Sequence, residues 1–382
     1  MAKPPMLVNK LAGVLFRIFI NMLLAMPTRW IYRFIGTISI LAYKFSHRHT
    51  RFSRLNLRIC FPSLFNPQLD MDDASDVRLE RFIRRNYRQM FWAYVDGFIG
   101  SRKNTRSAIH KHLRLVIHEE TKQLLNEKLH KFRTEKNEKG VIFNIGHAGS
   151  WEIIGHTMAC AGIPLNVVAR PLDIETINTE VDKTREKFGM RISSKFGGMV
   201  AMTRSILKGE SLMLAIDQDA GVYASGIYAN FFGHWCKCIE SYALLALRYN
   251  VLIIPAYGYR HGEDFKFTMV WGKPIYAKGD YKNLKDVYQV VQEWHDVFAA
   301  QVLRYPHQYE WYHKKWRTRP ADEEDVKKPY ELDKQPRNDE IAELRNKVDK
   351  TRKIDKIFEY YEEQMALFEN LPDFSKPYSL SD

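Results

Sequence analysis

His147 and Glu152 are the residues of this chain whose types and spacing best suit proton-transfer chemistry. They lie in the run Gly140-Val-Ile-Phe-Asn-Ile-Gly-His-Ala-Gly-Ser-Trp-Glu152. An imidazole near its ordinary pKa is a good general base, and a neighbouring carboxylate can fix its tautomer and stabilise its charged form. The two read as a base and its orienting partner. The elements that would position them are visible on either side. The short apolar run Val141 to Ile145 predicts a buried strand, and a helical pattern starts near Trp151. His147 then sits at the carboxyl end of a strand, where open α/β sheets bind their ligands, and Glu152 sits in the first turn of the following helix. A His and a Glu in an ordinary strand–helix loop would look the same locally, so the rest of the chain has to decide.

From Gly140 onward, strand and helix patterns alternate. Strands are predicted at 141–145, 166–169, 212–217, 251–258 and 265–271. The helices between them are predicted at 151–161, 175–188, 199–207 and 239–249, with another from 284 to 305. Such alternation predicts an α/β fold with a mostly parallel central sheet flanked by helices. Residues 70 to about 135 read as helical, with Phe82, Ile83, Tyr87, Met90, Phe91 and Tyr94 at core-facing spacing. Three regions emerge: a basic, apolar membrane-anchoring segment over 1–60, an enzyme domain over 61–320, and a charged helical extension over 321–382.

The chain has 382 residues, with 45% hydrophobic and 13% aromatic content, ample for a core and unlike a disordered protein. Four cysteines in this length make no disulfide framework and suggest a reducing, cytoplasm-facing location. Cys236 and Cys238 beside His234 lack a second ligand pair at finger spacing, so no metal is expected there. The net charge of +13 is unevenly placed, because the first acidic residue is Asp70. Ahead of it, basic residues alternate with the apolar runs 18–26 and 34–43. Neither run reaches the roughly 20 residues of a clean transmembrane helix. Attachment to an anionic membrane surface is the favoured reading, with a single tilted span as the alternative. Nucleic-acid binding is not expected, because the cations sit among long aliphatic side chains rather than in a solvated stripe.

The chain contains no Gly-x-Ser-x-Gly elbow, no Walker loop, no Gly-x-Gly-x-x-Gly and no His-Glu-x-x-His. Polar groups at other strand ends remain: Arg170 after the second strand, and Asp217-Gln218-Asp219 after the third. Each could serve a site or merely cap a turn.

At this point the chain resembles the bacterial lipid A biosynthesis acyltransferases, the late acyltransferase branch of the lysophospholipid acyltransferase superfamily. His147 and Glu152 match that family's His-x4-Asp/Glu, with Ser150 where Asn is usual. Val168-Ala169-Arg170-Pro171 resembles its second block, without the usual asparagine after Asp173. Arg185 and Gly189 match the following Arg-x3-Gly. Leu207-Lys208-Gly209-Glu210 with Asp217-Gln218-Asp219 matches the third block. Gly226 to Gly233 resembles the Phe-Phe-Gly block, although His234 to Glu240 departs from it. Tyr305 to Trp311 and Trp316 to Pro320 look like the closing motif. The resemblance spans roughly residues 54 to 320. It implies that His147 takes the proton of an acceptor hydroxyl while Glu152 orients it, and that the hydroxyl attacks a thioester held by acyl carrier protein. The acceptor would be a lipid A precursor, without a cofactor, at the cytoplasmic face of the inner membrane. Arg170, Arg185, Asp217, Gln218, Asp219 and Gly149 would bind substrate or the oxyanion, with backbone N–H groups of 146–149 or the Arg170 guanidinium as oxyanion donors. Two alternatives remain open: another lipid acceptor, or a non-catalytic scaffold of the same fold.

Overall fold

The computed structural model describes residues 5–319, apart from 63, 67, 104–107, 135–137, 195–197 and 222–224. The expected helical extension over 321–382 lies outside the described residues. The helices are α1 Met6–Ala25, α2 Thr28–Phe45, α3 His47–Cys60, α4 Val77–Lys103, α5 Glu119–Thr134, α6 Trp151–Cys160, α7 Glu175–Glu186, α8 Gly198–Leu207, α9 Ser241–Tyr249 and α10 Leu284–Arg304. The strands are β1 Leu113–Ile117, β2 Ile142–Ile145, β3 Leu165–Ala169, β4 Arg191–Ser194, β5 Ser211–Ala215, β6 Ile227–Phe231, β7 His234–Cys238, β8 Ile253–Arg260 and β9 Phe267–Trp271.

Seven strands form one sheet in the order β1-β9-β8-β2-β5-β3-β4, and every pair is parallel except β8 with β9. This is the expected α/β architecture. The central strands are apolar on both faces because helices cover both. Ile142, Leu212, Leu214 and Ile253 face a cluster built with Trp294 and Phe298 of α10, whereas Phe143, Met213 and Ile254 face a second cluster with Ile153 and Met158 of α6. A continuous apolar strand is the signature of such two-sided burial.

Four strands depart from the expectation. β1 interrupts the region read as helical, and β4 is a polar, partly exposed edge. β6 and β7 form a separate antiparallel hairpin whose two-residue turn, Phe232-Gly233, has positive φ at both positions (53° and 83°). That geometry matches the right-handed twist of the two strands and favours glycine in the second place.

The amino-terminal helices pack on the sheet-bearing part of the chain. The Trp92 indole on α4 donates to the Tyr32 carbonyl on α2 at 2.8 Å. The seat of α1 is α7, where Gly13 meets Thr176 and the Thr176 hydroxyl donates to the Asn9 carbonyl at 2.7 Å. Lys10 and Arg17 do not break α1, so the helix is longer than the 18–26 run. It is long and apolar enough to cross a membrane. Its outer face, including Leu7, Leu11, Leu15, Ile18 and Met22, is exposed.

Candidate active site

Two parallel neighbours bring the reactive side chains together. In the β2–β5 ladder, Ile145 is opposite Ala215. His147 and Asp217 each lie two residues beyond, so the same register that zips the strands places the imidazole against the carboxylate. His147 Nδ1 and Asp217 Oδ1 are 2.8 Å apart. Burial pushes the imidazole pKa down, but the Asp217 charge, with Glu310 and Glu152 farther out, outweighs it and raises the value to about 9. Burial likewise opposes ionisation of Asp217, and the imidazolium more than compensates, holding the carboxyl below its usual range.

Glu152 does not make the expected bond to the histidine. The first turn of α6 turns it toward α7, where Arg185 meets it with a two-pronged contact: Nε to Oε2 at 3.0 Å and Nη2 to Oε1 at 2.7 Å. Burial would raise the Glu152 pKa, and the guanidinium overrides it to hold the group low. The carboxylate that faces His147 is therefore Asp217 and not the expected Glu152, and Arg185 is engaged by protein rather than presented to substrate.

The loop carrying His147 is laced on two sides. Gly146 lies against the Phe298 ring, which a Cβ would enter. Gly149, at φ +60°, lies so close to the Gly258 carbonyl that no side chain fits. The backbone N–H of Ser150 donates to Gly258 O at 2.8 Å, and that of Gly149 to Gln308 O at 2.8 Å. Ala148 forms an antiparallel bridge with Tyr309, and the Glu310 N–H donates to His147 O at 3.0 Å. The expectation that Gly149 supplies an oxyanion donor is corrected, because its N–H is already spent on Gln308. Below the loop, the Ser150 hydroxyl donates to Asp96 at 2.7 Å. Asp96 also accepts from Tyr32 on α2 and pairs with Arg260, whose guanidinium lies over the Tyr32, Trp92 and Phe267 rings.

The remaining candidates divide. Gln218 enters the site, its amide donating to Glu310 Oε2 at 3.0 Å. Asp219 points away, to Arg317 at 3.0 Å and the Thr318 hydroxyl at 3.1 Å. Arg170 lies at the surface, 62% exposed and paired with Asp173, and does not reach the centre. The sequence reading did not single out Glu310, which is buried and takes a bond from the Tyr94 hydroxyl at 3.1 Å. Nor did it single out Asp96, and it read Tyr94 only as a core-facing helical residue, whereas the Tyr94 ring packs edge-on to Trp151 beside His147. Glu310 lies inside the closing motif, but nothing local shows that this segment returns to the β2–α6 loop. Among the described residues no group of His, Cys, Asp and Glu is placed to hold a metal. Cys236 and Cys238, with sulfurs 3.7 Å apart, face the buried Lys315 instead.

A parallel sheet with a carboxylate-backed histidine at its carboxyl edge, and an apolar amino-terminal helix beside it, fits the class of enzymes that act on lipids. Residues 3–318 match the family described as bacterial lipid A biosynthesis acyltransferase, and the chain belongs to it. Over 189 residues the chain is also 23% identical to the phosphatidylinositol mannoside acyltransferase of Mycolicibacterium smegmatis (strain ATCC 700084 / mc(2)155). That match covers 48% of this chain and 59% of that protein, so the chain spans less than two thirds of the relative's length.

Proposed function

We propose that this protein transfers a fatty acyl chain from the thioester of acyl carrier protein to a hydroxyl of a lipid A precursor, at the cytoplasmic face of the inner membrane. The observation that carries the chemistry is the 2.8 Å contact of His147 Nδ1 with Asp217. With the Nδ1–H donating to the Asp217 carboxylate, Nε2 is free to take the proton of the acceptor hydroxyl. The hydroxyl oxygen attacks the thioester carbonyl, a C–O bond forms and the C–S bond breaks. The proton held by His147 then passes to the departing thiolate. No acyl-enzyme and no cofactor are required, since the acceptor is itself the nucleophile. Asp217 stabilises the imidazolium as it forms, a contribution of about 10²–10⁴ in rate for base catalysis as a whole.

Family membership supports acyl transfer to a lipid, and the exposed apolar face of α1 with the basic residues of the first 60 positions supports a membrane setting. Purified protein and His147→Ala would be incubated with acyl carrier protein thioesters and an under-acylated lipid A precursor, with products read by mass spectrometry. A gain of one acyl chain with the wild type only is expected. No gain at any chain length, from folded wild type, refutes the lipid A assignment.

A further inference from the structure

We propose that Glu310 is a positioning residue of this transfer: a second buried carboxylate that braces the His147–Asp217 pair from the closing segment and gives His147 a further counter-charge when it holds the proton. The inference rests on the acyl-transfer reading for its chemistry, but its geometry stands alone. Glu310 is tied to His147 itself and to the residue that follows Asp217. Its backbone N–H donates to His147 O at 3.0 Å, and its Oε2 accepts from the amide of Gln218, the residue next to Asp217, at 3.0 Å. Its other oxygen accepts from Tyr94 at 3.1 Å, and Tyr94 shares a 2.9 Å hydroxyl contact with Tyr312. These donors are neutral. Among the described residues Glu310 forms no ion pair, so its charge is not cancelled where it lies and acts on the imidazole.

The groups around the pair make this specific. Glu152, the third carboxylate felt by His147, is neutralised by Arg185. Lys315, buried behind Asp217, and His313 act on the pair from the closing segment, and His49 of α3 faces Glu310 across the Tyr312 ring. Burial holds both His313 and His49 below the ordinary imidazole value, so neither supplies a standing positive charge at neutral pH to cancel Glu310. A residue needed only for packing would not require a carboxylate here, since a glutamine could accept from the Gln218 amide through its carbonyl oxygen and donate through its own amide to the Tyr94 oxygen.

The test is the titration of His147 in the full-length protein, followed by NMR of ¹³C-labelled histidine and assigned with His147→Ala, in wild type, Glu310→Gln and Glu310→Ala. Removing one nearby negative charge is expected to lower the His147 midpoint by about one pH unit in both variants. The low-pH limb of kcat/KM should move with it, and the high-pH plateau should fall by roughly three- to tenfold. Glu310→Gln keeps the shape of the site, so it remains informative even if Glu310→Ala does not fold. A Glu310→Gln protein in which His147 titrates as in wild type overturns the proposal, whatever its rate. The titration needs no turnover. A wild type inactive on every acceptor therefore counts against the acyl-transfer reading alone, while the midpoint still decides the role of Glu310.

Discussion

Replacing Asp217 with asparagine should give a defect whose size depends on pH, and the structure fixes the direction. In the wild type the His147 pKa is about 9, so the site holds an imidazolium at neutral pH. Two units below the midpoint only about one molecule in a hundred carries the free base. kcat/KM should therefore climb about tenfold per pH unit and level off above about pH 9. In Asp217→Asn the leading favourable charge is gone, burial remains, and the midpoint falls toward the ordinary 6.5. The variant base is then mostly free at pH 7, but it lacks the partner that stabilises its protonated form in the transition state, a loss of about 10²–10³ in the plateau. The two effects oppose each other. Acyl transfer assayed by mass spectrometry from pH 6 to 10 should show a loss of about 10²–10³ at pH 9.5 and of no more than about tenfold at pH 7. The raised native pKa also has a stability consequence: the contribution is complete below pH 6.5 and disappears as pH rises through 9. A loss of the same size at every pH would refute the reasoning. So would the pH dependence collapsing in Glu152→Gln instead.

Three further outcomes follow from the same geometry. Arg185→Met strands Glu152 buried and unpaired and should cost about 3–5 kcal/mol in denaturant unfolding, whereas the double change Glu152→Met, Arg185→Met should recover most of it. Buried His156 is pushed down to about 4, so its contribution to stability is present above pH 6.5 and is lost as pH falls through 4. That amounts to about 3 kcal/mol, and His156→Met should flatten the acid limb of the stability curve between those values. Gly149→Ala meets both a left-handed backbone and the Gly258 carbonyl, and should lose at least about 3 kcal/mol or fail to fold, as read by circular dichroism and proteolysis.

The central strands and the helices between them were legible because each carries a strong local pattern. Ile142–Ile145 is a short run that is apolar except for Asn144, and α10 repeats apolar residues at helical spacing behind its Asn283 cap. β1 and β4 were not, because each is a short edge whose ladder depends on a distant partner. Leu113 to Ile117 is a strand only through pairing with residues 267–271. The hairpin was visible as a Phe-Phe-Gly block, but its strand nature rests on the two positive-φ residues of its turn. In the site, spacing alone located His147 and a carboxylate beside it. Which carboxylate faces the ring was set by the β2–β5 register and by Arg185, 33 residues after Glu152, and neither is written in the His-x4-Glu pattern. Arg170 shows the opposite case: a strand-end position suggested a role, and the loop after β3 carried the side chain outward to Asp173.

The clamp on the His147 loop has a meaning for the order in which the protein is made. Asn56 of α3, fully buried, gives its amide to the carbonyls of Trp311 and His313, 255 and 257 positions later. Asn86 of α4 does the same for His307 and Tyr309. Contacts of such separation form late, because the loop they close must first be paid in entropy. During synthesis the amino-terminal helices emerge long before the segment that satisfies their buried amides, and the sheet is complete before its catalytic loop is pinned. A ribosome that stalls before residue 313 leaves a chain with its amino-terminal helices and every strand of the sheet made, but with the His147 loop still unpinned on the side of the closing segment.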